Sequence, residues 1–124
     1  MRIRLFKIAT FNEDNRKVHS NKHYKEYIND IRFRGIKFPS EQFENLYESI
    51  SKQLSCTRVD ISDSTSRYVG YVALDDRQIK YDRQTWDYLV ISDTGIIISL
   101  HKKHPKEYQR VLKKEYKSEF DYNT

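Results

Sequence analysis

Cysteine is nearly absent from this 124-residue chain: Cys56 stands alone. No intrachain disulfide can form and no cysteine-based zinc site can be assembled, so a reducing compartment is expected. Glycine is scarce too, and three residues cannot build a phosphate-cradling loop. Neither G-x-x-x-x-G-K-[ST] nor G-x-G-x-x-G occurs, and H-E-x-x-H and G-x-S-x-G are missing as well. These absences argue against nucleotide-dependent enzymes and call for no cofactor. No apolar run reaches the length of a membrane span, and the opening Met1-Arg2-Ile3-Arg4-Leu5-Phe6-Lys7 lacks the apolar stretch of a signal peptide. The expectation is a cytoplasmic protein with no membrane partner.

What the chain does hold is segregated charge. Residues 1–37 carry ten Lys or Arg against four acids, residues 38–100 carry six against ten, and residues 101–117 carry seven against two. A net charge of +5 gathered at both ends makes a directional field that can draw in a polyanion or an acidic protein surface. The apolar fraction of 37% is low, but ten Tyr, six Phe and one Trp supply large part-apolar groups for a small core. Richness in Lys, Ile, Tyr and Asn suggests an AT-rich gene, as in a low-GC bacterium or its phage.

No repeat or linker divides the sequence, and its length suits one domain over residues 1–124. Ile3 and Leu5 alternate with Arg2 and Arg4, predicting a strand over residues 2–11 with a bulge near Leu5 and Phe6 where the phase slips. Asn12-Glu13-Asp14-Asn15 reads as a loop. Ser20 or Asn21 is expected to cap a first helix with an apolar face of Tyr24, Tyr27, Ile28 and Ile31, ending before Gly35. Pro39-Ser40 opens a second, with Phe43, Leu46, Tyr47, Ile50 and Leu54 in one stripe. From Thr57 the period becomes two, predicting strands at 57–62, 67–74, 78–82, 86–92 and 95–101, joined at Asp75-Asp76-Arg77 and Asp93-Thr94-Gly95. Pro105 starts a third helix, with residues 118–124 expected to fray. The class is α+β: an antiparallel sheet of five to six strands with three helices mainly on one face.

Two histidine pairs, His19 with His23 and His101 with His104, invite a metal reading. The predicted helix start between His19 and His23 spoils a chelate, and no acid stands at ligand spacing, so no metal site is expected. With a three-residue loop at 93–95, Asp87 faces His101 across the last hairpin, a register that also pairs Val90 with Ile98 and Tyr88 with Leu100. A carboxylate raises an imidazole's pKa, which could ready His101 for general acid–base work; a register-fixing surface pair is the simpler alternative. This final hairpin ending in a histidine is generically similar to those of metal-independent RNase toxins. The resemblance implies catalytic roles for His101 with Asp87, Ser99, Tyr81, Arg83 and Arg67. Cys56, with no His or Lys beside it, reads as a buried structural thiol.

The basic blocks interleave cations with aromatics, a composition suited to phosphates and unstacked bases. The candidate nucleic-acid contacts are Lys102, Lys103, Lys106, Arg110, Lys113, Lys114 and Lys117, with Arg32, Arg34 and Lys37. An ordinary solvated face is the competing account. The expected function is that of a small non-enzymatic binding protein whose basic face meets nucleic acid or a nucleic-acid-handling protein, as a phage or mobile-element accessory (anti-defence or host-takeover) factor would. A metal-independent RNase using His101 is one alternative; a module contacting a partner protein through its acidic middle is another. Oligomeric state is not legible.

Overall fold

A computed structural model describes residues 10–11, 13–60 and 65–118. The element order is β1 (Thr10–Phe11), α1 (Glu13–Tyr27), a 3-10 turn (Ile31–Phe33), α2 (Glu41–Ser55), β2 (Tyr68–Ala73), β3 (Gln78–Asp82), β4 (Asp87–Ile91), β5 (Ile96–Lys102), α3 (Pro105–Glu115) and β6 (Tyr116–Ser118). The six strands form one sheet in the order β1-β5-β4-β3-β2-β6. All neighbours run antiparallel except β1, which lies parallel to β5. This is the α+β class expected.

The meander folds as its period-two pattern requires. Gly95 adopts φ +88° in the loop between β4 and β5, the left-handed position that a three-residue hairpin loop demands. Asp76 takes φ +68° in the turn between β2 and β3. Residues 57–60 form no strand, and residues 116–118 are not frayed but pair with β2. The predicted strand over residues 2–9 and its bulge lie outside the described residues, as do residues 61–64 and 119–124.

Alternation sends successive side chains to opposite faces of the sheet. One face carries Leu89, Ile91, Ile97 and Leu100 against Tyr27, Phe33, Phe43, Tyr47, Ile50 and Leu54 from the region of α1 and α2. The other carries Val69, Tyr71, Ile79, Tyr81, Tyr88 and Val90 against Tyr108 of α3. The helices therefore divide two to one between the faces. Helix α2 begins as its sequence dictates: Ser40 Oγ accepts from Phe43 N at 3.2 Å, and Glu41 and Glu44 sit at the positive end of the helix dipole. Its C-terminal end is closed from the sheet. The buried Lys80 donates to the carbonyls of Ser55 and Thr57 at 2.5 and 3.1 Å, and burial lowers its pKa to about 8.

Helix α1 departs from expectation. It starts at Glu13, with the acidic Asp14 in its first turn, and it runs through Ser20, whose hydroxyl donates back to the Lys17 carbonyl at 3.2 Å. Ile28 and Ile31, expected on its apolar face, lie beyond its end and are exposed. Cys56, expected to be buried, is also exposed.

Among the described residues β1 pairs with Ile96 and Ile97 only, and side chains cover the outer edge of β5 beyond them. The Tyr47 hydroxyl donates to the Leu100 carbonyl and accepts from the Leu100 N–H at 3.0 Å, while Glu26 Oε1 accepts from Lys102 N at 2.9 Å. Tyr47→Phe keeps the ring but strands both backbone groups of Leu100. It is expected to cost about 1–3 kcal/mol per group in urea denaturation, against little for Glu44→Ala.

Candidate functional site

The predicted pairing of Asp87 with His101 does not occur. Ile91 faces Ile97 as the loop geometry requires, but Val90 then faces Ser99, so Ile98 is an extra residue and the register moves by one. Tyr88 faces His101, and Asp87 faces Lys102. The shift leaves His101 between Tyr88 and α1 and brings Lys102 to Asp87 beneath α1.

There, four charges close on one another. Asp87 meets Arg32 at 2.7 Å and Lys102 at 3.2 Å, and Asp30 meets the same two cations at 2.7 and 2.6 Å. Lys102 also donates to the Thr85 carbonyl at 2.7 Å and stands over the Tyr27 ring at 4.7 Å. Burial opposes the charge on Asp30, but hydrogen bonds from Arg32 and Lys102 outweigh it and hold the carboxyl far below the usual range. Two of the candidate nucleic-acid contacts, Arg32 and Lys102, are thus committed to structure.

His101 belongs to a different group. His19 and His23, one turn apart on α1, stack with ring centroids 6.0 Å apart, and His23 stacks on His101 at 5.1 Å. Tyr88 lies 5.1 Å from the His101 ring, Ser99 Oγ is 3.5 Å from its Nδ1, and Glu26 hydrogen-bonds His23. Burial, then the neighbouring His23 and Lys103, lowers the His101 pKa to about 4, the reverse of the rise expected from an aspartate partner. No three His, Cys, Asp or Glu side chains converge in a metal-holding arrangement among the described residues.

The residues grouped by the RNase resemblance are dispersed. Asp87 is in the ion cluster, His101 and Ser99 are in the stack, and the buried Tyr81 donates its hydroxyl to the Lys103 carbonyl at 2.6 Å. Only Arg67 and Arg83 share a surface. With Thr65, Ser66, Gln84 and Pro105 they line a shallow open groove between the start of β2, the turn at residues 83–86 and the first turn of α3. Asp82 organises it. Its buried carboxylate accepts from Arg67 Nε and Nη2, both at 3.0 Å, and from the backbone N–H groups of Gln84 and Thr85 at 2.9 and 3.3 Å. The exposed Arg83 is in no ion pair among the described residues.

The outer face of α3 continues from this groove. Lys106, Arg110 and Lys113 follow at i, i+4 and i+7 with Lys114 alongside, all exposed; Arg110 pairs with Glu107, its Nε at 3.0 Å. Lys103 lies nearby with its ammonium 4.2 Å from the centre of the Tyr88 ring. Lys117 is in β6, and Arg34 and Lys37 are exposed in the segment between the 3-10 turn and α2. His104 caps α3, its Nδ1 accepting from Lys106 N at 3.1 Å.

Trp86 was missed as a site residue because the alternating pattern placed it in a strand. It instead ends the turn at φ +69°, a left-handed conformation uncommon for a bulky residue, with 41% of its surface exposed and its ring 4.8 Å from that of His104. Its signal was local: the lone tryptophan follows Arg83-Gln84-Thr85 between two strong strand patterns. Comparison of the chain with protein-family models, curated proteins and solved structures finds no match.

Two measurements check this geometry. In an NMR titration, His101 is expected to stay neutral to well below pH 6.5, and His23→Ala to raise its midpoint by removing a like charge. The unfolded state binds a proton on this group between about pH 6.5 and 4 that the folded state does not, so its contribution to stability falls as the pH drops through that window. Trp86→Gly relieves the left-handed strain while deleting an exposed ring. It is expected to change stability by less than about 1 kcal/mol by circular dichroism in urea, where a buried Trp truncation would cost about 3–5 kcal/mol.

Proposed function

We propose that this protein is a non-enzymatic nucleic-acid-binding module that contacts its partner through the outer face of α3 and the adjoining groove of Arg67 and Arg83. The observation that carries the reading is the continuity of exposed positive charge, running from Arg83 and Arg67 across Lys106 to Arg110, Lys113 and Lys114. Phosphates are met by such an array without any demand for base sequence. Exposed lysines in no ion pair among the described residues lose little by exchanging water for phosphate, and their counterions are released on binding.

Catalysis receives less support from the same site. A phosphodiester in the groove would meet arginines and a glutamine, whereas His104 Nδ1 is occupied in capping α3 and His101 is stacked against α1. Binding of this kind suits an accessory protein acting on nucleic acid, of a phage or mobile element, inside the cytoplasm. Among the described residues no helix is long and apolar enough to cross a membrane.

Affinity for an oligonucleotide should fall steeply with salt, with a log–log slope of about −0.9 per phosphate contacted on duplex DNA or about −0.7 on a single strand. Reversing Lys106, Arg110 and Lys113 to Glu should cost stability only within about 0.5 kcal/mol each and collapse binding in a fluorescence anisotropy titration. Undiminished binding by the folded triple variant would exclude α3 as the contact.

A further inference from the structure

Resting on the nucleic-acid reading above, we propose that the groove beside the β3–β4 turn takes an unpaired strand, with Trp86 as the surface on which one base stacks. A bulky residue at φ +69° persists only where its surroundings over-determine the conformation. Here they do: Trp86 N donates to the Asp82 carbonyl at 2.7 Å, and Lys103 N donates to the Trp86 carbonyl at 2.9 Å. A glycine would sit in this position without strain. The chain instead spends the position on its largest apolar side chain and leaves 41% of that residue in solvent.

The surroundings specify the ligand. The indole meets the His104 ring edge to face, and exposed cations stand close in sequence to both rings: Arg83 in the same turn as Trp86, and Lys106 two residues after His104. Arg67 uses Nε and Nη2 on Asp82, which leaves Nη1 for a further acceptor. An exposed aromatic surface in a cationic neighbourhood is the chemistry of a base with its phosphates, since every base has a π-face and stacking needs no particular sequence. A duplex offers phosphates alone, its base faces being buried in the helical stack. An unpaired strand offers both, and an acidic protein surface would satisfy the cations but leave the indole unmatched.

Trp86 is the single tryptophan, so indole fluorescence excited beyond the absorption of the ten tyrosines reports on this position alone. The experiment titrates the full chain at low salt with an oligothymidylate and, separately, with a blunt DNA duplex of equal phosphate number, following tryptophan emission and the anisotropy of labelled DNA. The unpaired strand is expected to bind more tightly than the duplex and to quench the indole. Trp86→Ala should weaken single-strand binding about 5- to 150-fold and leave duplex binding unchanged, and Trp86→Phe should recover part of the loss. Equal affinity for the two DNAs with an unquenched indole, or an undiminished Trp86→Ala, overturns the stacking proposal while the basic-face reading stands. Absence of binding to either DNA overturns both.

Discussion

The extra residue in β5 decides which side chains can meet. Without the bulge, the hairpin would keep the register set by its loop, and Leu100 would share a face with Ile98. With it, Ile97 and Leu100 both enter the core beneath α1 and α2, while Ile98 packs toward α3. The same shift places Lys102 opposite Asp87 and turns His101 toward Tyr88. A bulge costs ladder hydrogen bonds locally and increases the twist of the strand. What it brings here is a core on each face and an aligned ion cluster at the end of the sheet.

That cluster has a counterpart one turn away. The turn at residues 83–86 begins after Asp82 and ends before Asp87, and both aspartates are buried. Asp82 is held by Arg67 and by two backbone N–H groups; Asp87 is held by Arg32, Lys102 and the Thr85 hydroxyl. Burying a carboxylate is costly unless it is paired and hydrogen-bonded, and removing one partner is far more destabilising than the pair is stabilising. The two anchors therefore fix the turn from both ends. A strained, exposed tryptophan can be maintained between them because local relaxation would break an ion pair to one of two buried carboxylates.

Much of this was legible in the sequence wherever one local rule governed. Helix α2 follows from Ser40 and its apolar stripe, the meander from period two, and the β4–β5 loop from Gly95. Helix α1 was read short because Asn12-Glu13-Asp14-Asn15 looks like a loop when the value of Glu13 and Asp14 at a helix start is set aside. The register of β5 could not be read from alternation, since a bulge leaves both parities apolar. Its loss carried away the Asp87–His101 pair and hid the partnership of Lys102 with Asp30 and Asp87. Charge counting found the basic face of α3, but it could not separate Lys106 and Lys113, which face solvent, from Lys102 and Arg32, which are held inside by carboxylates. Trp86 needed the backbone: nothing in alternation announces a left-handed tryptophan.

The account is tested most directly by mapping where a short unpaired oligonucleotide touches the protein in amide and indole NMR spectra. Shifts confined to Arg67, Arg83, Gln84, the Trp86 indole and the outer face of α3, fading as salt is raised, are the predicted result. Shifts centred on α2 and the far face of the sheet, or a spectrum unmoved at low salt, would contradict it.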